Sequence, residues 1–299
     1  MYLLRPQGEN ETWGYEPSLP GDPYQGYINS LTGNGILLIR ILVKNNTTDV
    51  PVVQGLLESS QMTPISRSTG DAKPWPPLTE AVFAGLSNLS LPLQTLELTA
   101  RLRQANPPFD SSDPAAVEAK LTAAGISNNG TYNQPLGVDL SLANARAQED
   151  IKLYSLVGRQ DLNNDWVRYV PQGMYSDNFV ARSLLADNGF LDLQPSQALY
   201  PFSTAAASMS LDAGDAYLYE FSGKPPTETD GFWSLTMYDA EHFLVPNPFN
   251  VYAIGDRSNI TYPDGSPVYG PGSDDAENRP FEILIQPADL VPPANWTNK

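Results

Sequence analysis

The chain has 299 residues and no cysteine, and its 34 acidic side chains against 17 basic ones give a net charge of −17. A charge of this sign opposes binding to nucleic acid and to anionic membrane surfaces. The absence of cysteine excludes disulfides, a thiol nucleophile and thiolate metal sites. The apolar run at residues 36–39 is far shorter than the roughly 18 residues that a membrane-spanning helix needs. We therefore expect no nucleic-acid partner and no membrane span.

N-glycosylation sequences are more frequent than chance predicts. Seven Asn-x-Ser/Thr sequences are present, where the composition gives about three by chance under the acceptor rule. Their acceptors are Asn10, Asn45, Asn46, Asn88, Asn129, Asn259 and Asn295. The excess predicts a secreted glycoprotein, although Asn, Ser and Thr also accumulate in turns. Because residues 1–8 lack the apolar core of a signal peptide, we expect further sequence upstream and regard the chain as a fragment.

Residues 1–70 have the pattern of strands and turns, and we assign them to the remainder of an N-terminal β domain. A β-branched apolar run at residues 35–44 predicts a strand. Residues 50–60 carry apolar side chains at helical spacing and predict one short helix.

Residues 71–160 are predicted to be a proline-rich connector followed by a helical section. Proline limits regular hydrogen bonding at residues 71–78. Apolar spacing interrupted by Pro92 predicts two helices between residues 79 and 104. Asp113 before Pro114 predicts the start of a third helix. Residues 139–158 predict a fourth, with Asp139 as its N-cap and Leu140, Ala143, Ala147, Ile151 and Tyr154 as its buried stripe.

Residues 161–299 predict a C-terminal β-sandwich or jelly-roll domain. Alternating apolar and polar positions at residues 215–221, 231–239 and 281–285 indicate strands. Residues 263–267 have the composition of a tight turn, and residues 178–188 predict one more helix that ends at Gly189. The predicted fold class is mainly β with a helical insert, in which several helices bridge the β domains.

The densest cluster of chemically useful side chains lies between residues 233 and 257. Tyr238, Asp239 and His242 are the candidate catalytic groups, because histidine titrates near neutrality and a carboxylate with a raised pKa can transfer protons. On a strand, Asp239 and Glu241 would face the same side and His242 the other. The alternative is that the acids solvate a turn and that the histidine lies in a surface loop.

Seven further residues are candidates for substrate binding, because aromatic rings and amide or charged groups line small-molecule pockets. They are Trp233, Asn247, Asn250, Tyr252, Asp256, Arg257 and Tyr175. The alternatives are that the two asparagines fix an irregular loop, that Asp256 and Arg257 form an ion-paired turn, and that Trp233 and Tyr252 are core or rim residues. The sequence assigns no alternative role to Tyr175.

Three segments in this region carry a resemblance to a known family: Phe232 to Asp239, Val245 to Pro248, and Tyr252 to Arg257. They resemble the signature of the paired domains of unknown function numbered 1254 and 1214. Weaker similarity follows residues 40–43, Asp49, Gln54, residues 62–66 and residues 106–108. The resemblance implies two β-sandwich or jelly-roll domains bridged by helices, in bacterial and fungal proteins that are often exported. The chain departs from it at Val251, where arginine is common, and at His242, where glycine is usual.

Two functions are compatible with this sequence, and the sequence does not decide whether the protein is an enzyme. The first is an enzyme that acts on a small apolar or aromatic metabolite, such as a cyclase, lyase or isomerase. The alternative is a non-catalytic module that binds carbohydrate or protein. No Gly-x-Ser-x-Gly, Gly-x-Gly-x-x-Gly or phosphate-loop sequence occurs, which disfavours a serine hydrolase and the common nucleotide-binding folds. We expect no cofactor. We also expect no metal, with one alternative: the three carboxylates of residues 273–277 could hold calcium, although their spacing does not match an EF-hand loop. A homo-oligomer is one further alternative.

Overall fold

A computed structural model describes residues 1–6, 13–41, 43, 48–65, 78–108, 111–205, 214–228, 231–274, 276, 278–294 and 296. Grouping by contacts divides the chain into two compact units. Unit 1 comprises residues 1–39 and 65–204, and unit 2 comprises residues 40–64 and 205–299. This grouping does not test the three predicted sections, which stay a prediction.

The described residues contain strands and helices in comparable measure. The strands are β1 (Tyr2–Pro6), β2 (Gly14–Pro17), β3 (Gly26–Ser30), β4 (Arg159–Asp161), β5 (Trp166–Tyr169), β6 (Phe202–Ser203), β7 (Tyr217–Phe221), β8 (Ser234–Leu235), β9 (Ile254–Gly255) and β10 (Phe281–Ile285). The helices are α1 (Val50–Ser59), α2 (Glu80–Phe83), α3 (Leu91–Leu102), α4 (Pro114–Ala123), α5 (Leu140–Val157) and α6 (Phe179–Asn188).

Unit 1 contains two three-stranded sheets and most of the helices. In the first sheet β3 lies in the middle, parallel to β1 and antiparallel to β2. In the second, β5 pairs antiparallel with both β4 and β6. Helix α5 contacts α3 and α6. The buried apolar side chains described in this unit come from α3, α4 and α6 and from the segments around α3 and α4, namely Leu86, Ala100, Ala105, Val117, Ile126, Ala181, Leu184 and Leu185.

Unit 2 contains α1 and two antiparallel pairs of strands, β7 with β10 and β8 with β9. Among the described residues of this unit, five buried side chains form the core: Ile260, Tyr262, Val268, Phe281 and Ile283. Phe281 and Phe221 lie opposite each other in the β7–β10 ladder, and their rings stack with centroids 4.7 Å apart. Aromatic pairing across two strands therefore holds the centre of this unit.

The structure confirms the helices predicted beyond residue 48, and side-chain caps explain where α4, α5 and α6 begin. Asp113 accepts a hydrogen bond from the backbone N–H of Ala116 at 2.9 Å, and Asp139 accepts from those of Ser141 and Leu142. Asn178 caps α6 in the same way through Ala181. Pro92 lies in the first turn of α3, where its missing N–H costs no hydrogen bond.

Three predictions about elements were wrong. Residues 35–41 form no strand, and residues 42 and 44 lie outside the described part. Ala143 and Ala147 are exposed, and α5 buries none of its residues. Of the strand predicted over residues 231–239, only Ser234–Leu235 forms.

The mainly-β fold class is also corrected, because the described residues form a mixed α and β structure in which no sheet closes into a barrel. The β-sandwich or jelly-roll arrangement stays a prediction, since in unit 2 the described strands pair only two by two. None of the described helices is both long enough and apolar enough to cross a membrane.

Candidate functional site

Trp233 lies at the edge of the unit 2 core. Its ring centroid is 5.2 Å from that of Phe221 and 6.1 Å from that of Phe281, and its indole N–H donates to the Tyr269 hydroxyl at 2.8 Å. Burial raises the pKa of Tyr269, and the hydrogen bond from Trp233 opposes that shift. Trp233 is partly buried and packs against the core. A tryptophan with ring contacts of this kind and a satisfied N–H is typical of a packed scaffold.

The pair of strands β8 and β9 closes the base of a long loop. A side chain at Gly255 would place its Cβ 2.1 Å from the carbonyl oxygen of Trp233, so only glycine fits this close approach. Asp256 accepts a hydrogen bond from the backbone N–H of Trp233 at 3.1 Å and pairs with the guanidinium of Arg257 at 3.6 Å. Asp256 and Arg257 therefore form the ion-paired turn that was one of the two alternatives.

We call residues 236–253, between β8 and β9, the aromatic loop. Its first part is a tight hairpin in which Tyr238 pairs with Leu244. The Asp239 carboxylate accepts hydrogen bonds from the backbone N–H groups of Glu241 and Phe243, at 3.0 and 2.9 Å. His242 has φ +67° in this turn. Asp239, Glu241 and His242 thus occupy a turn and not a strand, so the alternating faces expected of them do not exist.

Asn247 organises the second part of the aromatic loop. Its side-chain N–H donates to the carbonyl of Val251 at 2.9 Å, and its side-chain oxygen accepts from the N–H groups of Phe249 and Val251. Asn250 adopts φ +53°, a conformation that asparagine tolerates better than most residues. The amide of Asn247 therefore fixes an irregular turn, which was the structural alternative for this residue.

The large side chains of the aromatic loop lie in solvent. The exposed fractions are 57% for Tyr238, 71% for Phe243, 69% for Phe249 and 41% for Tyr252. His242 and Asn250 are exposed beside them. A loop whose backbone is fastened by Asp239, Asn247 and β8–β9, and whose rings face water, has the form of a recognition surface.

Tyr175 belongs to unit 1 and so to a different unit from the other candidates. Its hydroxyl is 3.5 Å from the Asp192 carboxylate. Burial raises the pKa of both groups. The nearby Gln172 is buried and donates to the carbonyls of Leu193 and Ala198, each at 2.7 Å.

Unit 2 also contains a charged network that the sequence did not predict. The guanidinium of Arg279 contacts Asp264 at 2.6 Å and Asp274 at 3.0 Å, and it lies 3.8 Å from the ring centre of the buried Tyr262. Lys224 donates to the carbonyl of Asp274 at 2.6 Å. These residues are spread over 56 positions from Lys224 to Arg279, so no local pattern indicates the network.

The clefts that the structure describes do not gather the predicted site residues. A shallow, open one of about 410 Å³ in unit 2 is lined by residues 220–226 and Asn278. A smaller one of about 160 Å³ in unit 1 lies between α5 and α6. Neither contains Trp233, Tyr238, His242, Asn250 or Arg257. Within the described residues, no three acidic or histidine side chains are grouped in a way that would hold a metal ion.

Three of the seven glycosylation sequences fall in the described part of the chain. Asn88, Asn129 and Asn259 are all exposed. Asn10, Asn45, Asn46 and Asn295 lie outside the described residues.

Comparison with known proteins finds a family match for one part of the chain. No curated protein and no solved structure matches it. Residues 197–297, which include the whole aromatic loop, match the model of the family described as "Protein of unknown function (DUF1214)". This match supports the second half of the expected domain pair. The resemblance to domain 1254 stays a prediction.

Proposed function

We propose that unit 2 is a non-catalytic binding module whose aromatic loop recognises neutral carbohydrate. The observation that carries the proposal is the exposure of Tyr238, Phe243 and Phe249 on a loop fastened at both ends. Apolar ring faces stack on sugar rings, and fixed polar groups beside them bond the hydroxyls.

The net charge of the chain favours a ligand without negative charge. A net charge of −17 opposes the approach of acidic polysaccharides. His242, Glu241 and Asn250 are exposed next to the rings and offer both donors and acceptors. These groups suit a neutral glycan better than the apolar face of a partner protein.

Single substitutions in the loop test the proposal. Tyr238→Ala, Phe243→Ala and Phe249→Ala should each weaken binding on a glycan array and in titration calorimetry, by about 1 kcal/mol if the ring stacks on a sugar. Phe190→Ala is the matched control, because Phe190 is 66% exposed and lies in unit 1. Trp233→Ala is unsuitable, because loss of Trp233 would disturb the core. A wild-type chain that binds no neutral glycan, or three loop variants that bind as wild type does, would refute the proposal.

The enzyme hypothesis remains the second proposal, with a pocket in the C-terminal β domain, an apolar or aromatic metabolite as substrate, and a cyclase, lyase or isomerase reaction. The exposed Tyr238 and His242 on one turn favour it. Its weakness is that the Asp239 carboxylate is engaged by two backbone N–H groups. His242→Ala should abolish turnover of a metabolite extract if this proposal holds, and unchanged turnover by His242→Ala and Asp239→Asn would remove it.

Secretion as a glycoprotein is the proposed location. The exposure of Asn88, Asn129 and Asn259 supports it, because a glycan needs an acceptor in water.

A further inference from the structure

Asn129 lies at the tip of a small hairpin in unit 1. Ile126 and Tyr132 pair at its base, and the N–H of Ser127 donates to the carbonyl of Thr131 at 2.9 Å. Gly130 takes φ +84° at the tip, a left-handed conformation that glycine adopts without strain. These bonds hold residues 127–131 in one defined turn.

Side chains at the end of α3 fasten this hairpin. Arg103 donates to the carbonyl of Ile126 at 2.9 Å, and Gln104 donates to the carbonyl of Asn128. Ile126 is buried, with 2% of its surface exposed. The hairpin is therefore a fixed projection of unit 1.

Asn129 and Thr131, the two residues that define this glycosylation sequence, contact each other through their side-chain oxygens. The Thr131 hydroxyl donates to the Asn129 Oδ1 at 2.7 Å, the Thr131 N–H donates to the same oxygen at 3.2 Å, and the Ser127 hydroxyl is a third donor. All described hydrogen bonds of this side chain end at Oδ1. Nδ2, the atom that a glycan modifies, makes none among the described residues, and Asn129 is exposed.

We infer that Asn129 is an N-glycan acceptor whose glycan the folded chain carries without loss of any hydrogen bond in the turn. In the transfer, Nδ2 forms a bond to the anomeric carbon of an oligosaccharide held on a polyprenyl diphosphate. The bond from that carbon to the diphosphate oxygen breaks, the diphosphate leaves with the electron pair, and one amide proton is released. Oδ1 takes no part in the new bond and keeps its three donors.

Occurrence in the native protein rests on the proposed secretory location, but the test does not depend on it. The full chain is expressed in yeast behind an added secretion leader, and its peptides are mapped by mass spectrometry after enzymatic deglycosylation in ¹⁸O water. We expect ¹⁸O label at Asn129 in the wild-type chain. Asn129→Asp should migrate faster on a gel than wild type, by the mass of one glycan. The label at Asn129 should fall at least tenfold in Thr131→Val and should be retained in Thr131→Ser. Unlabelled Asn129 in the secreted wild-type chain overturns the inference.

Thermal unfolding tests whether the glycan leaves the hydrogen bonds of the turn intact. Asn129→Asp keeps an acceptor at the Oδ1 position and cannot be glycosylated, so it is the matched structural control. Glycosylated wild type and Asn129→Asp should unfold at the same temperature, whereas Asn129→Ala, which loses the three hydrogen bonds, should unfold at a lower one. A glycosylated chain that unfolds as early as Asn129→Ala would show that the glycan breaks the turn and would contradict the inference. Carbohydrate binding by unit 2 is measured separately, so either proposal fails without the other.

Discussion

Asp239 and Asn247 direct their polar atoms into the backbone of the aromatic loop, and this decides how their chemistry is used. Each accepts two backbone N–H groups within four residues of its own position. Such local bonds are the usual work of Asp and Asn in turns. The same residue types that indicate a catalytic cluster in a sequence therefore also build a loop that presents aromatic side chains.

Asp264 should make stability depend on pH in the acid range. Hydrogen bonds from the Ser266 side chain and backbone, followed by the one from Arg279, lower the pKa of Asp264 from 3.8 to about 2. A lowered pKa stabilises the folded chain above pH 3.8, and this contribution is lost as the pH falls through about 2. Urea unfolding between pH 5 and 2 should show a shallower loss of stability for Asp264→Asn than for wild type. Parallel pH curves for the two proteins would contradict this assignment.

Phe281 should carry much of the stability of unit 2. It is fully buried and stacks on Phe221, so Phe281→Ala should lower the free energy of unfolding by about 3–5 kcal/mol. Phe249→Ala removes an equal volume from an exposed position and should change it by less than about 0.5 kcal/mol. Denaturant titration followed by the fluorescence of the neighbouring Trp233 measures both. Equal effects of the two substitutions would disprove the core assignment.

At the scale of elements, helix ends were predictable and the depth of helix burial was not. Asp113, Asp139 and Asn178 act as caps because capping depends on neighbours within three residues. The exposure of Ala143 and Ala147 on α5 depends instead on which elements pack against that helix. The strand expected at residues 35–44 failed for the same reason, because a β-branched run forms a strand only where a partner strand is available.

The cap of α4 offers a test at this scale. Asp113→Ala should destabilise the protein by about 1 kcal/mol, because it removes the hydrogen bond to the N–H of Ala116. Ser90→Ala is the matched control, since Ser90 is the N-cap of α3 but its side chain makes no capping bond. Thermal unfolding that ranks the two variants in the opposite order would contradict the capping geometry.

At the scale of the whole molecule, the described residues expose more large apolar side chains than they bury. Exposed apolar surface of this extent favours association, while the net charge of −17 opposes it. Self-association should therefore strengthen as salt screens the repulsion. Sedimentation velocity at 0.05 and about 0.5 M salt should detect larger species at the higher salt, and a monomer at both would argue against a homo-oligomer.

The sequence by itself determined the properties that depend on composition or on close neighbours. These are the acidity of the chain, its lack of cysteine, the six helices, the turn at residues 263–267 and the resemblance that the family match at residues 197–297 supports. Only the tertiary structure decided that Trp233 packs against the core, that the rings of the aromatic loop face solvent, and that Arg279 joins Asp264 to Asp274. The physical reason is that burial and ion pairing depend on residues far apart along the chain, whose proximity is set by packing and not by spacing.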